Sequence, residues 1–278
     1  QLVQYERTTL SGAPEVNDGL NRESQAMKII FRLAGYVLMA TSLVACGGGG
    51  GGGGGGGSSV SPGVPDESAN GIWTGITSVA GYGSSDTVAF FLDNEFIALN
   101  LDFNEFYQGT YTINGSAITA TNAKGFDVNG PYAGSGSLDG VVSSGGTLRA
   151  TVETSIGTTS DSDLVYRADV YERSLSFSDL AGSWSGSVVG ISFSLVISSS
   201  GSFSGLGSDG CVVEGELAIP SSNRNLFKSD LTISGSNCSV SGNYSGLGHL
   251  FDTFQNNDTL VIGYSNNSYG FAYTANRN

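Results

Sequence analysis

Asn70-Gly71-Ile72-Trp73-Thr74-Gly75 returns roughly 100 residues later as Ala181-Gly182-Ser183-Trp184-Ser185-Gly186. These segments hold the only two tryptophans of the chain. Each opens a stretch of about 100 residues that closes on aromatic residues and an arginine. The first closes at Tyr166, Tyr171 and Arg173, the second at Tyr269, Phe271, Tyr273 and Arg277. Self-similarity at that period predicts two consecutive domains of one type. Their expected spans are 70–174 and 175–278, with a short join near Arg173 to Asp179.

Within each domain the apolar residues alternate at period two, and Gly, Asn, Asp and Ser mark the turns. Phe227, Ser229, Leu231 and Ile233 fall on one face, while Lys228, Asp230 and Thr232 fall on the other. Phe193, Leu195 and Ile197 alternate with serines, turn at Ser198 to Gly201 and return through Phe203. Leu260 to Tyr264 and Tyr269 to Tyr273 flank an Asn266-Asn267 turn. Tyr111 to Ile118 reads as a hairpin with Asn114-Gly115 at a type I′ turn. No helix is expected. Short strands at regular spacing predict an all-β chain of two small antiparallel barrels or sandwiches.

Ahead of the first tryptophan the pattern changes. Lys28 and Arg32 are followed by an apolar run from Leu33 to Leu43 and then by Leu43-Val44-Ala45-Cys46. A positive head, an apolar stretch of about 7–15 residues and a small-residue site describe a secretory signal. The run is too short to span a bilayer, which takes about 20 residues. Residues 27–45 are therefore expected to be a signal peptide with Met27 as the start. Residues 1–26, polar and aperiodic, are expected to be an upstream artefact or disordered. Gly47 to Gly57 is an unbroken glycine run, and Ser, Pro, Asp and Glu continue it to residue 69. Such a segment cannot bury enough surface to offset its ordering entropy. It reads as a tether with a root-mean-square span of roughly 25–30 Å.

Leu43-Val44-Ala45-Cys46 resembles the lipobox of Gram-negative bacterial lipoproteins. In that family the chain is cut before the cysteine, which then carries the acyl chains, so Cys46 is implied to be the lipidation site. Several acyl chains hold a protein on a membrane where one does so only marginally. Gly47, rather than Asp, follows the cysteine, and by that resemblance the expected location is the outer membrane, on either its periplasmic or its surface face. Gly-x-Trp opening a barrel, with an arginine on the last strand, resembles lipocalins and related small barrels. There the tryptophan closes one barrel end and the arginine packs over it. The implied pairs are Trp73 with Arg173 and Trp184 with Arg277. The wider likeness is to two-domain, Gly/Ser-rich lipoproteins, which implies no particular activity.

Charge and cysteines narrow the field further. The net charge is −14, and it resides entirely after Cys46, where seven basic residues face 21 acidic ones. A surface of that sign repels nucleic acid and favours cations or basic partners. With Cys46 lipidated, Cys211 and Cys238 are left as a pair, which in an oxidising compartment is expected to be a disulfide. Closing a loop of about 27 residues stabilises by roughly 3–4 kcal/mol on a chain-entropy basis. A metal site is the alternative, but the sole histidine is His249 and no Cys-x-x-Cys occurs.

Few residues suggest catalysis. A Ser-His-Asp triad would have to use His249, and no Gly-x-Ser-x-Gly elbow is present. Asp93, Glu95, Asp102 and Glu105 cluster in sequence among Phe90, Phe91, Phe96, Phe103, Phe106 and Tyr107. They read first as turn residues, then as a cation site, then as the paired acids of a glycan hydrolase. No resident metal or cofactor is expected. The expected function is a non-enzymatic binding or envelope-structural role, with a protein, glycan or apolar ligand as partner. The aromatics from Phe90 to Tyr107 are the candidate contact patch, and a hydrolase acting on envelope glycans is the alternative.

Overall fold

The computed structural model describes residues 68–278 apart from 101, 103, 104, 128, 129, 156, 189, 237, 239 and 254. Cys46, the segment 27–45 expected to be a signal peptide, and the glycine run lie outside the described residues. The chain is all-β, and its strands close into two antiparallel rings.

The first ring comprises β1 (Gly71–Val79), β2 (Gly83–Leu92), β3 (Glu95–Asn100), β4 (Glu105–Thr110), β5 (Thr112–Asn114), β6 (Ala117–Asp127), β7 (Gly130–Val142), β8 (Thr147–Thr154) and β9 (Thr159–Tyr166). Apart from β4 and β5, each strand pairs with the next, and β9 returns to β1. Strands β4 and β5 pair with successive parts of β6, so they form one wall interrupted at Tyr111. Two single-turn helices follow, α1 (Ala168–Tyr171) and α2 (Phe177–Leu180). The second ring comprises β10 (Gly182–Val188), β11 (Ile191–Ile197), β12 (Ser202–Gly207), β13 (Val212–Ala218), β14 (Phe227–Ser234), β15 (Gly242–Phe251), β16 (Thr259–Ser265) and β17 (Tyr269–Arg277). Strand β17 closes it onto β10. The helices are a departure from the strand-only expectation; α2 is held by a capping box in which Ser176 and Asp179 satisfy each other's backbone N–H.

Closure removes the free sheet edges. The rings are not independent. Gly130 and Pro131 of β7 pair with Gly270 and Tyr269 of β17, a two-residue ladder from one barrel to the other. A shared apolar seam matters more. Phe90 and Leu92 of β2, Ile97 of β3 and Phe106 of β4 point out of the first barrel and are buried. They meet Leu247, Val261 and Ala272 on the outer wall of the second. Gly263 makes this approach possible: a Cβ there would stand 2.9 Å from Phe106 Cε2 and 3.1 Å from Ile97 Cγ2. The run Thr87 to Leu92 is buried at every position, the signature of a strand covered on both faces. The proposed aromatic contact patch is thus already occupied: Phe90 and Phe106 face the second barrel, and Phe91 and Phe96 fill the interior of the first.

Away from the seam the outer walls are largely polar, with apolar residues such as Val141, Val165, Val196 and Leu206 exposed singly among them. Strands β8 and β9 present Arg149, Glu153, Asp161 and Asp163, charges that are costly against lipid. These walls are built to face water. Among the described residues no helix is long and apolar enough to cross a membrane.

The tryptophan echo has a structural meaning. Trp73 Nε1 donates to Ala69 O at 2.8 Å, and Trp184 Nε1 donates to Leu180 O at 2.8 Å. Both rings are fully buried, so each plugs its barrel and satisfies its single donor four residues back. Arg277 lies directly opposite Trp184 across the β10–β17 ladder, with its guanidinium 4.4 Å over the indole. In the first barrel the residue opposite Trp73 is Tyr166, not Arg173. Its ring meets the indole edge-on at 5.3 Å. Strand β9 ends at Tyr166, and α1 carries the chain onward. Arg173 therefore reaches the second barrel, where it binds Asp252 at 3.0 Å and Asn257 at 2.6 Å.

The hairpin at Asn114 is also shifted. Asn114 pairs with Ala117, so Gly115-Ser116 is the two-residue loop. Gly115 takes φ 60 while Ser116 stays at negative φ, a type II′ rather than a type I′ turn. Cys211 and Cys238 form a disulfide with Cα atoms 5.3 Å apart. Cys211 precedes β13, and Cys238 lies with Val240 in the β14–β15 loop. Cys211 is buried, and Cys238 and Val240 pack against the core of the second barrel.

Candidate functional site

The two barrels differ inside. Inward positions of the second carry Phe203, Phe227, Tyr264, Phe271 and Tyr273. Its rings pack closely, Phe193 on Tyr273 at 4.7 Å and Tyr244 on Phe271 at 5.1 Å. Tyr264 OH is met by Ser229 Oγ at 2.6 Å. Burial raises both Tyr264 and Tyr273, so these phenols stay protonated inside the core.

Inward positions of the first barrel include Ala89, Ala98, Ala123 and Ala150. Small side chains on facing strands leave the lumen short of volume. A cavity of about 40 Å³ remains between these alanines and Leu138 and Leu164. Below it Trp73, Phe91, Phe96 and Tyr111 seal the barrel end. A second chamber of about 120 Å³ lies toward the other end, lined by Val79, Glu105, Gly134, Thr154 and Thr158. Tyr107 and Ser160 line both chambers.

Polar inward side chains form a chain around this half of the lumen. Thr77 Oγ1 lies 2.8 Å from Ser162 Oγ. Thr87 Oγ1 lies 2.7 Å from Thr77 Oγ1 and 2.9 Å from Asn100 Oδ1. Asn100 Nδ2 donates to Glu105 Oε2 at 3.1 Å, and Tyr107 OH donates to the same oxygen at 3.0 Å. Five strands thus contribute to one network that ends on a carboxylate. Burial, and then the Glu105 charge, hold the Tyr107 phenol well above its ordinary range. It therefore remains a donor to Glu105.

The four carboxylates grouped by sequence do not converge. Asp93 and Glu95 lie at the β2–β3 turn, whereas Asp102 and Glu105 lie at the opposite end of β3, where Asn100 pairs with Glu105. Lys228 Nζ of the second barrel reaches Glu95 Oε2 at 3.1 Å and Asp93 Oδ2 at 3.6 Å. These two acids therefore tie the barrels together at the edge of the seam. Asp102 Oδ2 accepts from the Asp86 backbone N–H at 3.0 Å, and Glu105 alone enters the lumen. The cation site and the paired acids of a glycan hydrolase are not assembled from these residues. Among the described residues, Asp209, Cys211 and Cys238 bring potential metal-ligand atoms within 4.8 Å of one another. The disulfide takes up both sulfurs and leaves one carboxylate, so no metal site results.

Asn225 and the burial of His249 escaped the sequence reading. Asn225, fully buried, accepts from Leu250 N at 3.0 Å and donates to Leu250 O at 2.7 Å and Val170 O at 3.1 Å. It fastens the connecting segment to the second barrel. His249 points from β15 into the seam, edge-on to Phe90 at 5.2 Å. Nothing in a lone Asn or His marks burial of this kind; a strand partner would have to be known first.

Comparison with known proteins finds no matching family model, no matching curated protein and no matching solved structure.

Proposed function

We propose that the chain is an exported lipoprotein of a Gram-negative envelope. It is anchored in the outer membrane through Cys46 and serves a non-enzymatic binding role. The second barrel, filled and disulfide-linked, is the support, and the first barrel is the receptor. The observation that carries the receptor assignment is the unfilled lumen of the first barrel, set against the aromatic-packed interior of the second. Protein interiors are normally packed without voids larger than a water molecule. A barrel lined by alanine and opening toward a polar chamber is a departure that a ligand would exploit. The small volumes favour a fragment-sized ligand over a lipid chain or an oligosaccharide. The lipobox likeness and the glycine tether support the anchor, and the acidic, water-facing walls suit a body held above a membrane.

Two measurements test this reading. In cells, the protein is expected in the membrane fraction and its Cys46→Ala variant in the soluble fraction; identical fractionation would reject the anchor. In the full chain with methyl-labelled alanine, n-butanol is expected to shift the Ala89, Ala98, Ala123 and Ala150 signals together and saturably. An Ala150→Leu variant should lose that response. Absence of any saturable shift in the wild type would overturn the receptor assignment.

A further inference from the structure

The chemistry of the lumen specifies the ligand more closely; this inference rests on the first barrel being the receptor. We propose that it takes a small organic ammonium, with the cationic head on Glu105 and a short alkyl end in the alanine-lined chamber. Glu105 receives both of its protein hydrogen bonds on Oε2. Among the described residues Oε1 receives none, and Glu105 lines the 120 Å³ chamber. No lysine or arginine lines either chamber, and no ion pair involves Glu105 among the described residues. Glu105 is half-buried in the chamber wall, and an ammonium drawn up to it there forms a charge-assisted hydrogen bond, the stronger kind.

The surroundings fix the carboxylate before any ligand arrives. Asn100 and Tyr107 hold Oε2, and the Thr87–Thr77–Ser162 chain holds Asn100. The site therefore loses little freedom on binding. Behind the head, the lining of the smaller chamber is almost entirely apolar, which suits a few methylenes and rejects a second charge. A divalent ion would need several oxygen ligands, and one carboxylate does not supply them. The net charge of −14 draws cations toward the molecule.

Three isosteric probes on the full chain test the assignment: n-butylammonium, n-butanol and butyrate, read by the lumen alanine methyl signals. Butylammonium is expected to bind tightest and butyrate not at all. Glu105→Gln preserves shape and should weaken butylammonium by roughly 10- to 100-fold. It should leave n-butanol within about twofold, because removal of a charge that a neutral probe does not use costs little. If Glu105→Gln fails to fold, Glu105→Asp retracts the carboxylate by one methylene and should still weaken butylammonium selectively. Equal binding of butylammonium by wild type and variant, or binding of butyrate as tight as that of butylammonium, would overturn the proposal. Binding of n-butanol with no advantage for butylammonium rejects the ammonium but keeps the receptor. Silence from all three probes rejects both.

Discussion

In a Gly263→Leu variant the two barrels are expected to unfold separately, where the wild type unfolds in one transition. Gly263 sits at the closest approach of the two walls. A single added carbon already stands 2.9 Å from Phe106 Cε2, and leucine adds three more. The atoms opposite belong to a ring and to Ile97, both packed in the seam, so neither can swing aside into solvent. Overpacking of this kind costs typically 1–3 kcal/mol even when the core adjusts. Here the easier adjustment is for the barrels to part. That would expose Phe90, Phe106, Leu247 and Val261, each worth about 1.5–3 kcal/mol of burial. The tryptophans make the outcome measurable, because Trp73 lies in the first barrel and Trp184 in the second. With Trp184→Phe or Trp73→Phe in the background, denaturant melts followed by fluorescence should coincide for Gly263 and diverge for Gly263→Leu. The second barrel, with its disulfide, should be the later to melt. A Thr151→Leu control, on an exposed wall far from the seam, should shift midpoints by less than about 0.5 kcal/mol. Coincident melts in the Gly263→Leu variant would show that the seam does not couple the barrels.

The seam also shows where the sequence stops being legible. Alternation identifies Phe227, Leu231 and Ile233 as an inner face because their neighbours Lys228, Asp230 and Thr232 are polar. Val88-Ala89-Phe90-Phe91-Leu92 offers no such contrast. Burial on both faces erases the period, so the run looks equally like core and like an exposed patch. The covering residues, Leu247, Val261 and Ala272, lie more than one domain away along the chain. The tryptophan repeat could be read directly, since each indole performs the same task at the same place. Its arginine partner could be read only in the second copy, where the last strand runs on to Arg277. In the first copy nothing in the segment after Tyr166 signals that a one-turn helix, not a strand, carries Arg173 away. The lumen was hidden for a different reason. Ala89, Ala98, Ala123 and Ala150 alternate inward as ordinary core residues do, and a shortage of volume appears only when facing walls are brought together. Glu105 looked like Asp102 because the two are neighbours in one acidic turn. Strand parity and the register with Asn100 separate them.

His249 predicts how the same seam responds to acid. Its Nδ1 lies 3.0 Å from Leu250 O, to which it donates, while Nε2 is buried without a protein partner. Phe90 approaches from β2, and Phe251 lies beside it on β15 at 6.4 Å. Burial first, and then the Arg173 and Arg167 charges on the connecting segment, bring its pKa down to about 4 from the ordinary 6.5, against the bond to Leu250 O. Unfolded chains therefore bind a proton on this residue between pH 6.5 and 4, while folded ones do not. Stability is unaffected above that window and falls as the pH drops through it. The slope is about 1.4 kcal/mol per pH unit, giving a loss of roughly 3 kcal/mol by pH 4. Asp169, whose carboxyl is held below 3.8 mainly by its hydrogen bonds from Arg167, contributes only at the acid edge of the window and below it. A His249→Leu variant keeps the volume and removes the proton site. Denaturant midpoints measured from pH 7 to pH 4 should decline more steeply for the wild type than for His249→Leu. The two curves should separate by roughly 3 kcal/mol at the acid end. Parallel curves would mean that the histidine is protonated without opening the seam, and that its burial costs nothing in acid.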